Sequence, residues 1–215
     1  MMNVLVIGAN GQVGQNIVNL LHSNKDHSLK AMVRKQEQAD ELASRGIESV
    51  VASLEDSVEV ISEAMKGSDA VIFAAGSGGS TGSDKTLLVD LDGAGKTIEA
   101  AEKLGVKRYV MISALQAHNR ENWHESLLPY YAAKHYADKL LEVSKLDYTI
   151  VRPGGLLNEP GRGKVSIAEN LGSGSISRED VAQVVVTSLT KENTVRRSFD
   201  LISGEDEIIK AIDSL

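Results

Sequence analysis

The chain has 215 residues, of which 42% are hydrophobic and 25% charged, the make-up of a globular protein long enough to bury one substantial core. Cysteine is absent, which excludes a disulfide framework and any thiolate-based metal or redox site. A formal net charge of −7 without long single-sign runs argues against non-specific nucleic-acid binding, while leaving room for a local basic pocket for phosphate.

The opening Met-Met-Asn-Val carries no basic residues ahead of its apolar segment, and that segment is too short and glycine-broken for a signal peptide or a membrane span. The expected location is cytoplasmic, with no membrane partner. From Asn3 the sequence reads Asn-Val-Leu-Val-Ile-Gly-Ala-Asn-Gly-Gln-Val-Gly14, four apolar residues running into glycines spaced G-x-x-G-x-x-G. A continuous apolar run is the mark of a buried parallel strand, and Val13, Ile17, Val18, Leu20 and Leu21 begin a helical pattern directly after it. In a strand, turn and helix of this kind Gly8 makes the turn, Gly11 lets a dinucleotide pyrophosphate approach the backbone, and Gly14 lets the helix pack on the strand.

Further strand patterns lie at Leu29–Val33, Ile47–Val51, Ala70–Ala74, Arg108–Ile112 and Tyr148–Val151. Helical patterns fall between them at Gln36–Ser44, Ser57–Met65, Leu87–Leu104 and Tyr131–Leu146. Strict alternation without a two-residue hairpin signal predicts right-handed βαβ crossovers, hence a Rossmann-type doubly wound α/β fold with a parallel sheet, in one domain spanning 1–215. The run Gly76–Gly82 follows a strand directly and reads as a site loop. Past Pro153 the alternation loosens into a turn-rich connection, a short strand at Lys164–Ala168, a helix at Val181–Leu189 opened by the capping pattern of Ser177 with Asp180, a strand at Phe199–Ile202 and a helix at Asp206–Ile212. These late elements would form a small C-terminal substrate region.

At the end of the second strand an acid usually holds the ribose of NAD, whereas an arginine accommodates the extra phosphate of NADP. Here Arg34 and Lys35 stand in that place with no acid, which favours NADP over NAD; the other reading is a pair of solvated charges. Tyr130 and Lys134 are four apart at a helix start and share a face. An adjacent ammonium favours the phenolate and would bring the tyrosine toward neutral titration. With Ser113 at the end of the fifth strand to hydrogen-bond a carbonyl, the three make a carbonyl-reducing set. The alternatives are a helix-start aromatic beside an exposed lysine, or the register of Tyr131 with His135. Asp90 and Asp92 read as first-turn acids that favour a helix dipole. His118, Trp123 and His124 lie in a polar loop and read as lid residues rather than metal ligands, so no metal is expected.

On Gly8-Ala-Asn-Gly-Gln-Val-Gly14, Val110-Met-Ile-Ser-Ala114, Tyr130-Tyr-Ala-Ala-Lys134, Tyr148-Thr-Ile-Val-Arg-Pro-Gly-Gly155 and Ser177-Arg-Glu-Asp-Val-Ala182, the chain resembles the atypical short-chain dehydrogenases/reductases over nearly its whole length. It is similar there to bacterial NAD(P)-dependent epimerases or dehydratases, and more distantly to NmrA-like regulators and small biliverdin and flavin reductases. The resemblance implies a catalytic set of Ser113, Tyr130 and Lys134, with Lys134 also on the nicotinamide ribose. It implies cofactor contacts from Gly8, Asn10, Gly11, Gln12, Val13 and Gly14, from Arg34 and Lys35, from Ser53 and Leu54 beside the adenine, from Ala74, Ala75 and Gly76 at the fourth strand end, and from Pro153, Gly154 and Gly155 against the nicotinamide. Two positions depart from the family: Ser53 stands where Asp is frequent, and Asp90 where many members have an active-site Asn, whose amide donor a carboxylate lacks.

The function expected is NADP(H)-dependent oxidoreduction of a small carbonyl substrate, or epimerisation or dehydration through transient oxidation. The alternative is an NADP(H)-binding redox sensor that acts on a protein partner. A monomer or a homodimer paired through the long helices suits either.

Overall fold

Along β1 (Asn3–Ile7), Val4 and Val6 point into one hydrophobic layer and Leu5 and Ile7 into the other, so both faces of the strand are covered. The computed structural model describes residues 1–79 and 81–215. After β1 come α1 (Gln12–Asn24), β2 (Ser28–Val33), α2 (Gln36–Ser44), β3 (Glu48–Val51), α3 (Val58–Met65) and β4 (Ala70–Phe73). Then α4 (Ser83–Lys85), a π-helical segment (Thr86–Asp92) and α5 (Gly93–Leu104) follow one another with helical backbone angles at both junctions, leading to β5 (Arg108–Ile112). The rest is α6 (Leu128–Glu142), β6 (Asp147–Pro153), β7 (Gly155–Leu157), β8 (Lys164–Ala168), β9 (Ser175–Ser177), α7 (Arg178–Ser188), β10 (Arg197–Ser203), β11 (Asp206–Glu207) and α8 (Ile208–Asp213).

The main sheet runs β3-β2-β1-β4-β5-β6-β10-β8-β11. Every pair from β3 through β10 is parallel, whereas β8 is antiparallel to β10 and to β11. One layer packs α1, α2, α7 and α8 on the sheet, and the other packs α3, α5 and α6. Fully buried Leu5, Phe73 and Met111 sit in the second layer, each worth about 1.5–3 kcal/mol of burial. This is the Rossmann-type α/β architecture that the strand and helix alternation predicts. Since β2 and β4 leave β1 on opposite sides, a crevice opens beyond the carboxyl ends of β1 and β4, where such sheets bind ligands.

Several boundaries differ from those read in the sequence, and each has a local cause. The helix expected at Tyr131–Leu146 starts at Leu128, with Pro129 in its first turn, and stops at Glu142. Ser144 Oγ donates to the Leu141 carbonyl and the Lys145 amide donates to Glu102 Oε1, turning the chain into β6, while Leu146 is buried in the core. The helix expected from Leu87 begins at Ser83 and carries the π segment. Ser177 does cap α7, its hydroxyl accepting the Asp180 amide at 3.0 Å, but the helix starts at Arg178. Asp206 and Glu207 pair with Val165 and Lys164 before α8 begins, so the last helix is shorter than expected. The parallel β7–β9 ladder has only three residues per strand, too few for a periodic signal. Among the described residues no helix is long and apolar enough to cross a membrane.

Candidate active site

The first turn of the crevice is built by glycine. Gly8 leaves β1 at φ +82°, and a Cβ there would lie 2.7 Å from the Ala75 amide nitrogen. The Gly11 amide donates to the Gly8 carbonyl at 2.9 Å, and a Cβ on Gly14 would overlap that same carbonyl, so α1 can pack on the turn only with glycine there. A Cβ on Gly11 would meet nothing but Gly8 O, at 3.3 Å, which leaves this face open to the crevice. Gly11 caps α1 without a side-chain acceptor for the first-turn amides, the arrangement that receives a phosphate. Gly14→Ala is accordingly expected to lower the melting temperature and abolish nucleotide binding; unchanged nucleotide titration in that variant would remove the cradle from the site.

Two cavities adjoin this cradle. One of about 180 Å3 is lined by Asn10, Gly11, Arg34, Gln38, Ser53 and Leu54 among others. The other, about 680 Å3, is lined by Gln12, Val13, Ser113, Tyr130, Lys134 and Arg178 among others. Gly11, Ala74, Ala75 and Gly76 border both, making one continuous cleft, and Pro153 and Gly154 close the far wall. Three expected contacts are not on it. Gly14 packs against the Gly8 carbonyl and lines neither cavity. Lys35 caps α2 in extended backbone and is exposed outside the cavity wall, so only Arg34 of the pair faces the cleft. Gly155 is drawn away into β7, its amide donating to the Gly174 carbonyl at 3.0 Å.

Tyr130 and Lys134 line the larger cavity and, with Asp138, recur every fourth residue on one face of α6. Lys134 is buried, its Nζ donating to the Ile112 carbonyl at 2.9 Å and lying 3.7 Å from Asp90 Oδ1. Asp90 is equally buried; its Oδ2 accepts the Ser77 amide at 2.9 Å and its Oδ1 has no hydrogen-bond partner. It is therefore not a first-turn acid: the π-helical widening turns it inward, while Asp92, on the outer face, pairs with Lys96 at 2.9 Å. The Tyr130 phenol is held well above its ordinary value of 10.0, first by burial, then by the Asp90 carboxylate and by Tyr131. Burial and the Asp90 carboxylate outweigh the lowering expected from Lys134, whose ammonium faces that same carboxylate. Ser113 Oγ meets no partner at hydrogen-bond geometry, though it lies near enough to Asp138 to steady that carboxylate.

The register of Tyr131 with His135 does not reach the cavity: Tyr131 stacks on Trp123 with centroids 5.8 Å apart, and His135 Nδ1 lies 2.8 Å from the Ala117 carbonyl. The three lid residues of the polar loop are likewise elsewhere. His118 faces Asp200, Trp123 packs on Tyr131, and His124 Nδ1 lies 2.8 Å from Ser126 Oγ; Ser126 and Leu127, further along the loop, are what line the cavity. Gly76, Ser77, Gly78, Gly79 and Thr81 of the glycine-rich loop also line it, and Ser80 lies outside the described residues. Among the described residues no cluster of His, Asp and Glu is placed to hold a metal ion.

Sequence reasoning missed three features. Asp138 pairs with Arg152 at 2.9 Å deep behind Ser113, and the four-residue spacing from Lys134 together with an arginine inside an apolar strand would have pointed to it. Gln116, at φ +62°, donates to Asp200 Oδ2 at 2.7 Å and to the Leu171 carbonyl, tying the loop after β5 to β10; nothing in the sequence signals this. Arg178 reaches the cavity from the start of α7, a position that only the fold reveals.

A glycine cradle at the switch point of a Rossmann-type sheet, opening into a cavity with a buried lysine, a buried serine and a half-buried tyrosine, defines an NAD(P)-binding protein of the atypical short-chain dehydrogenase/reductase kind. A family model described as NAD(P)H-binding matches residues 8–192, and the chain belongs to that family. A Bacillus subtilis (strain 168) protein named "Uncharacterized sugar epimerase YhfK" is 62% identical over 214 residues, with 100% of each chain covered. Among solved structures, a Bacillus halodurans protein described provisionally as an NAD-dependent epimerase/dehydratase is 44% identical with a TM-score of 0.94, covering 100% of both chains. The oxidoreductase ylbE from Lactococcus lactis is 32% identical with a TM-score of 0.91, covering 100% of this chain and 96% of that one.

Proposed function

We propose that the protein is an NADP(H)-dependent oxidoreductase acting on a small carbonyl compound, with epimerisation or dehydration through transient oxidation as variants on the same residues. The observation that carries this reading is the convergence of Ser113, Tyr130 and Lys134 on a cavity that shares its Ala74–Gly76 wall with the glycine cradle. The bound nicotinamide would supply or accept the hydride. The first-turn amides of α1 would hold the pyrophosphate, Ser53 and Leu54 would flank the adenine, Pro153 and Gly154 would border the nicotinamide, and Lys134 would hold its ribose. Ser113 polarises the carbonyl by donating its hydroxyl. Tyr130, kept protonated by its surroundings, gives its proton to the carbonyl oxygen as charge develops there. Relatives named as an epimerase and an oxidoreductase support an enzyme rather than a sensor.

Arg34, on the wall of the smaller cavity, binds the 2′-phosphate and sets the preference for NADP. A charge-assisted contact at this exposed position is worth about tenfold in affinity. Calorimetric titration with NADPH and NADH is expected to show that preference in the native protein and its loss in Arg34→Ala, with NADH affinity unchanged. Equal affinity for the two nucleotides in the native protein would overturn the assignment to NADP. Failure of both to bind, with no oxidation of NADPH on a carbonyl panel, would overturn the enzyme reading itself.

A further inference from the structure

The larger cavity carries three charged side chains, and two of them answer one another. Lys134 and Asp90, both buried, face each other 3.7 Å apart, so their charges largely cancel in the cavity. The third is Arg178, half-buried at the opening residue of α7. Its NH1 donates to Asn158 Oδ1 at 2.8 Å, a neutral partner that takes one of five guanidinium donors and fixes the side chain without neutralising it. The acids nearest in sequence are already engaged elsewhere: Glu179 accepts the Gly161 amide, and Asp180 accepts the amides of Arg162 and Gly163. No carboxylate among the described residues lies within ion-pair distance of Arg178. A chain of formal charge −7 thus leaves an uncompensated cation on the wall of its reaction cavity. The neighbouring walls are apolar, from Leu127, Pro129 and Leu156.

From this arrangement we infer that the substrate is a carbonyl compound bearing an oxyanion group, carboxylate or phosphate, which Arg178 binds. The inference rests on the proposed reductase reading for where the reacting carbonyl lies, but the anion contact stands apart from turnover. The planar guanidinium matches the two oxygens of such a group and selects it over a neutral ester or alcohol.

The test compares 4-carboxybenzaldehyde with its methyl ester, and glyceraldehyde 3-phosphate with glyceraldehyde. Binding is followed by calorimetry to the protein alone and to the protein with NADP+, and turnover is measured in parallel with NADPH. At least one anion is expected to bind about ten- to a hundredfold more tightly than its neutral counterpart, and the member that does so tells carboxylate from phosphate. Arg178→Gln should erase the preference and Arg178→Lys should keep part of it. The inference is overturned if no anion outbinds its neutral partner, or if the preference survives in Arg178→Gln. Turnover of neutral carbonyls without anion preference would sink this inference and leave the reductase reading intact. Anion selectivity dependent on Arg178 without any turnover would do the reverse.

Discussion

Tyr130→Phe is expected to lower carbonyl reduction by about two to four orders of magnitude, the usual contribution of a positioned acid, while changing nucleotide affinity by less than about twofold. The substitution keeps the ring and its edge contact with Tyr131 at 5.8 Å and removes only the phenolic oxygen. The loss should fall on kcat rather than KM, because the proton is transferred only as the carbonyl oxygen gains charge. Steady-state rates with NADPH, beside a nucleotide titration, decide it. A variant that retains most of its kcat would remove Tyr130 from the acid role.

The same residue fixes the sign of the pH dependence. Reduction needs the protonated phenol and oxidation the phenolate. With the phenol held above its ordinary 10.0 by burial and by Asp90, reduction stays flat from neutral pH to beyond that value, whereas oxidation climbs with pH over the same range. Asp90→Asn removes the largest of the three charge effects that raise the phenol, so the break in both profiles should move to lower pH. On the proposed reading, the departure from the family's Asn at this position has a chemical meaning: beside the effect of burial, an aspartate here would help to keep Tyr130 protonated for reduction.

How far the sequence foretold the molecule depended on how local each feature is. The strand, glycine turn and helix at the N-terminus are short-range, and each glycine shows a constraint that matches its expected place, down to the overlap a Cβ at Gly14 would cause. Tyr130, Lys134 and Ser113 came together because a helix face and a strand end are periodic features. Patterning takes Asp90 for a first-turn acid, since a π-helical segment changes which residues face inward and no propensity announces it, whereas the family resemblance puts it at an active-site position. Lys35 and Gly155 were placed by adjacency to true cavity residues, yet the chain turns within one residue and takes them off the wall. The Gln116–Asp200 tie spans 84 residues of sequence, and Arg178 reaches the cavity wall only through the fold, neither of which patterning carries.

The buried pair behind Ser113 gives the largest expected effect on stability. Asp138 and Arg152 are both nearly inaccessible and 2.9 Å apart, and Asp138 Oδ1 has no hydrogen-bond partner. Burial raises the Asp138 carboxyl above 3.8, with Arg152 opposing that shift most strongly. Arg152→Met therefore pushes the carboxyl higher still in the folded state, while the unfolded chain titrates near 3.8. Between those two values the folded variant binds more protons than the unfolded one, so its stability falls as pH rises, at about 1.4 kcal/mol per pH unit, and levels off above the folded value. The reciprocal change behaves differently, because a guanidinium cannot discharge. Asp138→Leu leaves Arg152 with Glu142, at 3.5 Å, as its one remaining ion-pair partner among the described residues, and should cost about 3–5 kcal/mol at any pH near neutrality, roughly 6–20 °C in melting temperature for a chain of this size. Replacing both residues restores an apolar contact and should recover most of the loss. Urea melts across the acid and neutral range separate these outcomes. A penalty for Arg152→Met that does not vary with pH would mean that Asp138 stays charged without its arginine, and that the nearby Lys134 ammonium is then its counter-charge.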